Sequence, residues 1–434
     1  MKKEEEKKTL FEDDTEDVFL KSLKENPRPK TSKIKALEDY FYICSSQKKA
    51  KYIRYYFELY DSFIFCKKNH EKNELAFMDI KNSFLKKTKD TMINDEPHFG
   101  LKFIKKKTYE EIFHKDEKVV DLWFQHLKRQ CILTKFKCYF ESIKVIGKGN
   151  FAKVFLVRRI KDNKQFAVKV FNKNVIMQDP IEKKCLIYEI EMMRLMSHYR
   201  VLRLHELYEG ENFVYCLCEL YEGTDLMNAI IKKGAQPEQK ALTIVMQILE
   251  GLHYMHNKKI MHRDIKPENI IFKKGQMIDI GIVDLGFATR ESEFRNLFVR
   301  CGTPGYVAPE VLHDRDYNCK VDVFSTGIIF YIILTGHMPF KGSSYKEIVE
   351  KNMNGDINFD FKRYGITISG LSELTSQGPS DANAFEEPRG PYLVLRCHET
   401  SHLRDHAVQE SSDRAERLRS TGADSYEAIC RGVS

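Results

Sequence analysis

His262-Arg263-Asp264-Ile265-Lys266-Pro267-Glu268-Asn269 is the stretch from which the rest of the chain is read. It sets a carboxylate, an ammonium and a carboxamide at fixed offsets. A helix-patterned segment precedes it, with Ile244, Ile248, Leu252 and Met255 on one apolar stripe. Each of the three groups has a use in moving a phosphoryl group between oxygens. Asp264 can take the proton of an attacking hydroxyl, Lys266 can neutralise charge on the group in flight, and Asn269 can hold a metal ion.

Partners of the right kind lie on both sides. Upstream, Ile146-Gly147-Lys148-Gly149-Asn150-Phe151-Ala152-Lys153-Val154 sits between two strand-like runs. Glycines there let the backbone turn tightly and bring N–H groups onto phosphates. Phe166-Ala167-Val168-Lys169 follows as a strand with a buried-looking Lys, and Glu189, on a helix with Met193 and Met196 on its apolar side, can pair with it. Residues 214–222 read as a strand entering a hinge. Downstream come Asp284-Leu285-Gly286, Cys301-Gly302-Thr303-Pro304-Gly305-Tyr306, Ala308-Pro309-Glu310, and Asp322 at the start of an apolar helix. In this order and spacing, residues 147 to about 361 resemble the eukaryotic protein kinases, and Lys266 marks the serine/threonine form. The texture is closest to the calcium/calmodulin-dependent group. Two departures are mild: Ala152 replaces the usual third Gly, and Leu285 replaces the usual Phe.

The resemblance implies an ATP- and Mg2+-dependent enzyme acting on Ser and Thr of protein substrates. Residues Ile146 to Val154 would cover the nucleotide, and the Lys169–Glu189 pair would place its α- and β-phosphates. Glu219 and Tyr221 would offer backbone groups to the adenine, with Cys218 behind it. Asn269 and Asp284 would hold the metal, Asp264 and Lys266 would act at the transferred group, and Asp322 would brace the loop backbone. Asp225 and Glu268 are placed to attract an Arg about three residues before the substrate hydroxyl. Asp225 also suits a helix cap before Leu226-Met227, and the two roles are compatible. Arg263 would ordinarily meet an activating phosphate, yet Leu297-Phe298-Val299-Arg300 carries no hydroxyl.

The chain has 434 residues and a formal net charge of +8. Residues 31–136 hold 22 Lys+Arg against 15 Asp+Glu, so most of the excess lies there. Eleven cysteines without a CxxC pair or zinc-ligand spacing read as reduced thiols of a cytoplasmic protein without a secretory leader. The apolar run 327–334 is too short to cross a bilayer. Residues 1–30, dense in both charges, are expected to be a disordered lead-in. Then residues 39–45, 52–65, 75–84 and 99–105 read as strands. A helix from about Asp116 carries Val120, Trp123, Leu127 and Cys131 on one face. Several strands closed by one helix with an inward Trp resemble a pleckstrin-homology domain, and Lys51-Tyr52-Ile53-Arg54-Tyr55-Tyr56-Phe57-Glu58-Leu59 resembles its second strand. Members that grip phosphoinositides usually have basic residues on both sides of the position of Arg54; here Ile53 and Tyr55 stand there. The expected partner is therefore an anionic membrane, contacted weakly and peripherally through residues 31–136 with help from Lys48, Lys49 and Lys51. No nucleic acid partner is expected.

Past about residue 369 the texture changes. Lys362 is the last Lys, and Ile429 is the only Ile after 370. Either residues 371–434 come from another reading frame or gene junction and leave the C-lobe incomplete, or they are a genuine variable tail. The expected fold class is α+β: a pleckstrin-homology-like β-barrel with a C-terminal helix (31–136), then a bilobal protein kinase fold with a truncated C-lobe (140–369), then an atypical tail. The alternative to an active kinase is an interaction protein that binds nucleotide but turns over poorly.

Overall fold

Asn and Asp tolerate the left-handed backbone region better than other residues with a Cβ, and in this chain they end strands. Asp61, Asn82 and Asn163 have φ of 50°, 60° and 59°. Asn94 and Asp95, at 52° and 64°, form a two-residue hairpin turn. The computed structural model describes residues 9–11, 20–32, 34–44, 51–106, 108–149, 152–274, 279–296, 300–355 and 357–358. They fall into two compact units, one of residues up to 196 with 203–220, the other of 197–202 with 221 onward.

The first unit contains, in chain order, β1 (Leu20–Ser22), β2 (Leu37–Cys44), β3 (Tyr52–Tyr60), β4 (Phe63–Lys67), β5 (Glu74–Asp79), β6 (Phe84–Lys87), β7 (Thr91–Ile93), β8 (Glu96–Lys105) and β9 (Thr108–His114). It continues with α1 (Glu117–Leu127), β10 (Ile132–Leu133), α2 (Phe136–Tyr139), β11 (Phe140–Lys148), β12 (Ala152–Arg159), β13 (Gln165–Asn172), α3 (Lys173–Ile176), α4 (Pro180–Leu195), β14 (Leu204–Glu209) and β15 (Phe213–Cys218). Strand β2 pairs with both β3 and β9, which joins the meander β2–β5 to β6, β8 and β9 around one core. Helix α1 lies on that core: Asp116 caps it by accepting from Lys118 N–H at 2.8 Å, and Val120, Trp123 and Leu127 are buried. The expected strand 52–65 is two strands, because Asp61-Ser62 turns between them, and the expected strand 75–84 ends at Asp79.

The disordered lead-in needs correction for the residues described. Leu20–Ser22 is a strand paired with β5, and Leu10 is fully buried, its N–H donating to Glu209 at 2.9 Å. The surrounding charge hid a few apolar anchors. Lys48 and Lys49 lie outside the described residues.

Strand β10 decides the architecture of this unit. Its Ile132 pairs in parallel with Phe84 of β6 and with Leu207 of β14, so one sheet runs from β1 through to β11. The core is equally continuous: Leu127, Cys131 and Leu133 share a cluster with Phe136, Phe140, Phe166 and Tyr208. Residues of the expected 31–136 module and of the expected kinase segment thus occupy one unit.

The second unit holds α5 (Leu226–Lys233), α6 (Glu238–Asn257), β16 (Ile260–Met261), β17 (Ile270–Phe272), β18 (Ile280–Ile282), β19 (Thr289–Arg290), α7 (Pro309–Leu312), α8 (Lys320–Thr335) and α9 (Tyr345–Asn354). Helix α8 is apolar almost all round, as a fully buried helix must be, and it packs against α6. The expected break near residues 369–370 and the tail lie outside the described residues. Among those described, no helix is long and apolar enough to cross a membrane.

Candidate active site

In the first unit the glycine-containing stretch is a hairpin. Gly147 pairs with Val154 and Lys148 with Lys153, and Gly149 N–H donates to the Ala152 carbonyl at 2.8 Å. Ile146 is exposed beside it, while Asn150 and Phe151 lie outside the described residues. Val154 stands opposite Lys169 on β13. Lys169 Nζ donates to Glu189 Oε1 at 2.6 Å. Glu189 reaches that place because α4 starts on a firm cap: Asp179 accepts from Ile181 N–H at 2.8 Å, and Pro180 opens the helix. Cys218, at the end of β15, is buried, and burial pushes its thiol well up from the ordinary range. Glu219 donates its N–H to the Arg203 carbonyl at 3.2 Å, and its carboxylate accepts from Arg203 N–H at 2.9 Å, so its side chain is committed to the strand end.

The loop of residues 262–269 is built entirely in the second unit. Asp322 is buried at the start of α8, and its carboxylate accepts from the N–H groups of His262 and Arg263, each at 2.8 Å, and lies 2.8 Å from His256 Nε2. Burial opposes its ionisation, but these donors and the His256 charge hold its carboxyl below the usual range. They also fix Arg263 in the left-handed region, at φ 67°. This is the bracing the sequence led us to expect of Asp322. Gly302 passes so close that a Cβ there would come 2.7 Å from the Arg263 carbonyl oxygen, and its φ of 104° is one that glycine allows.

Asp264 is 6 % exposed, and Lys266, Thr303 and Asn269 all meet it. Lys266 Nζ lies 2.8 Å from Asp264 Oδ2 and 2.8 Å from Thr303 Oγ1. The Thr303 hydroxyl donates to Asp264 Oδ1 at 2.7 Å. Asn269 Nδ2 donates to the Asp264 carbonyl at 2.8 Å and to its carboxylate at 3.1 Å. The arrangement can hold a hydroxyl against a carboxylate with an ammonium alongside.

The antiparallel pair β17–β18 brings the two expected metal ligands together. Ile270 pairs with Ile282, and Val283 N–H donates to the Asn269 carbonyl at 2.9 Å, so Asn269 and Asp284 stand on adjoining strand ends. Asp284 is exposed, at φ 62°. The Asn269 amide nitrogen is engaged by Asp264, so its oxygen is the atom it could offer to a cation. Among the described residues no group of three or more His, Cys, Asp or Glu could hold a metal. Asn269 and Asp284 are two oxygen-bearing side chains that could share a divalent cation with ligands from outside the protein.

Tyr221 lies with its ring against Gly281, where a Cβ would come within 2.4 Å of it. Asp225 is the N-cap of α5: it accepts from Asn228 N–H at 2.8 Å and from the Asn228 side chain at 2.5 Å. Glu268 is exposed on a 3-10 turn, Pro267–Asn269, that packs against α5. The two carboxylates thus stand on touching elements.

Two residues of this unit were not singled out from sequence. Thr303 was quoted only within its motif, and a hydroxyl in a loop carries no local sign of its partner. Asn352, fully buried in α9, accepts from Gly305 N–H at 2.8 Å and donates to the Val307 carbonyl at 2.8 Å. It pins the segment that follows Thr303, and nothing in its own neighbourhood marks it.

The first unit carries a glycine-containing hairpin and a Lys–Glu pair, and the second a loop with Asp, Lys and Asn beside a second Asp; this set of residues is that of the protein kinase class. The chain belongs to that family: the family described as "Protein kinase domain" matches residues 140–411. That match runs across the expected break at 369–370. Calcium-dependent protein kinase 4 of Plasmodium falciparum (isolate 3D7) is 35% identical over 232 residues, which are 53% of this chain and 43% of that protein. Myosin light chain kinase A of Dictyostelium discoideum is 33% identical over 234 residues, 54% of this chain and 79% of that one. Calcium/calmodulin-dependent protein kinase type 1 of Caenorhabditis elegans is 37% identical over 218 residues, 50% of this chain and 62% of that one. The chain thus spans less than half the length of the Plasmodium protein.

Proposed function

We propose that this chain is a protein serine/threonine kinase that uses ATP and Mg2+. The observation that carries the reading is the Asp264–Lys266–Thr303 cluster, in which a buried carboxylate already holds a hydroxyl at 2.7 Å. A Ser or Thr of a substrate would take a comparable place. Asp264 would accept its proton as the new O–P bond forms and the bond from the γ-phosphorus to the bridging oxygen of ATP breaks, with ADP leaving, and Lys266 would offset charge on the transferred group. Lys169, kept in place by Glu189, would hold the α- and β-phosphates, and the backbone of Gly147 to Gly149 would cover them. Asn269 and Asp284 would hold Mg2+, which supplies charge neutralisation at the β- and γ-phosphates. Glu219 and Tyr221 would meet the adenine through backbone groups.

Asp225 and Glu268 support selection of an Arg upstream of the target hydroxyl, since their carboxylates lie on contacting elements of one unit. For the module at 31–136, the ladder through β2 and the inward Trp123 of α1 support a pleckstrin-homology-like reading. Arg54 there is exposed and stacks 4.3 Å over the Tyr40 ring, which supports weak contact with an anionic membrane rather than a tight headgroup grip. No described residue favours the alternative of a poorly active interaction protein.

The test is transfer of label from ATP to protein. Lys169→Met, Asp264→Asn and Asp284→Ala should each cut the rate by about two to four orders of magnitude with the fold retained. Transfer by Asp264→Asn at the parental rate would overturn the reading.

A further inference from the structure

Helix α4 carries Glu189, and residues distant in sequence grip its other side. Arg194 is 5 % exposed; its Nη1 donates to Asn82 Oδ1 at 2.5 Å and its Nε to the Arg129 carbonyl at 3.2 Å. Lys81, beside Asn82, pairs with Glu191. Arg129 donates to the carbonyl of Met196, the residue that caps α4. At 3.6 residues per turn Arg194 stands about 140° round the helix from Glu189. Lys169 therefore holds one face of α4, and the turn after β5 together with the end of α1 holds another.

The gripping segment is itself tied down. Asn82 N–H donates to the Gln130 carbonyl at 3.3 Å, and Ile132 N–H to the Ser83 carbonyl at 2.8 Å. Ile132 also stitches β6 to β14. Lys128 adds an ion pair to Glu206 of β14 at 2.6 Å. A buried guanidinium is costly unless its donors are met by well-placed acceptors. Burial draws the Arg194 guanidinium down to about 10, which still leaves it charged at neutral pH. Keeping such a charge at the end of α4 makes the helix position depend on where Asn82 and the Arg129 carbonyl stand.

We propose that residues 79–133 form a clasp in cis for α4, in which Arg194 and Asn82 are positioning residues that hold Glu189 against Lys169 and so set the affinity for nucleotide. The Lys–Glu pair of a kinase is productive only while this helix stays in place. The inference rests on the kinase reading above, and its test has a readout that does not need turnover.

The experiment uses the full chain with Asn82→Gly, Asn82→Asp, Arg194→Met and the double variant Asn82→Gly/Arg194→Met. Glycine removes the acceptor without straining the φ of 60°, and Asp keeps both the acceptor and the tolerance for that backbone. Amide hydrogen exchange over 180–196 should quicken at least tenfold in Asn82→Gly, with exchange over 238–257 in the second unit unchanged. The KM for ATP, and the Kd for a non-hydrolysable ATP analogue, should rise roughly tenfold. Asn82→Asp should restore both, and the double variant should be no worse than about twofold beyond either single one. Parental exchange and analogue affinity in Asn82→Gly, failure of Asp to rescue, or fully multiplicative single effects would each overturn the clasp. A parent that transfers no phosphate would count against the kinase reading alone, because exchange and analogue binding still report on the clasp.

Discussion

Arg263 donates through Nε to the Phe287 carbonyl at 2.7 Å and through Nη1 to the Tyr317 hydroxyl at 3.0 Å. Of the two upstream hydroxyls that could carry a phosphate for it, Thr289 and Ser292, Thr289 is 2 % exposed, and Glu291 accepts from Cys319 N–H at 3.1 Å. The cation that an activating phosphate would meet already has acceptors inside the fold. Phosphatase treatment should therefore leave activity within about twofold, whereas Tyr317→Phe should lower it several-fold by removing one acceptor from a buried charge. Assaying both on one preparation decides it, and a large phosphatase effect mapped to Ser292 would contradict this account. His205 offers a second test at this scale. It sits at an irregular step of β14, edge-on to Phe166 with centroids 5.6 Å apart, and burial, then the Arg203 charge, pushes its imidazole down to about 4. The unfolded chain, with the usual value near 6.5, binds more protons between those values, so stability falls as pH drops through that window. From pH 7 to 5 the loss should be about 1–2 kcal/mol by urea unfolding, and His205→Leu should lose most of that dependence.

Helix α5 separates two roles that one carboxylate can play. Asp225 caps it through Asn228, and the cap needs an oxygen acceptor but not a charge. Recognition of an Arg in the substrate needs the charge. Asp225→Asn should leave thermal stability nearly unchanged and weaken Arg selection in a peptide library roughly tenfold. Asp225→Ala should lose selection and about 1 kcal/mol of stability together. Enrichment of acidic residues, or of Pro after the target hydroxyl, would show that the carboxylates read something else.

On the scale of the molecule, the first unit has no seam at the expected boundary near 136–140. Leu127, Cys131 and Leu133 share a core with Phe140, Phe166 and Tyr208. A chain starting at residue 137 would uncover several large apolar side chains, each worth about 1.5–3 kcal/mol. It should be insoluble or melt at least 10 °C lower than the full chain, as differential scanning fluorimetry would show. The full chain should sediment weakly with anionic vesicles, and less so as salt rises. Salt-resistant preference for one phosphoinositide isomer would mean that the exposed Arg54 and its neighbours read a headgroup after all.

Sequence alone named the groups of the candidate site, because short-range spacing carries them. Asp264, Lys266 and Asn269 lie within six residues, and backbone geometry over such a stretch leaves few arrangements. The inward Trp123 and the helix after Asp116 were legible for the same reason, since one helical period displays its buried face. Contacts between residues far apart in the chain were not legible. Thr303 joins Asp264 across 39 residues, and Asn352 reaches Gly305 across 47. Arg194 finds Asn82 across 112, and nothing local to either residue names the other. A charged, apolar-poor lead-in hid Leu10, which only a pocket formed by the folded unit could bury. Tertiary structure decided these points because a hydrogen bond or a buried side chain is satisfied by whatever the fold brings within reach, not by what lies next along the chain.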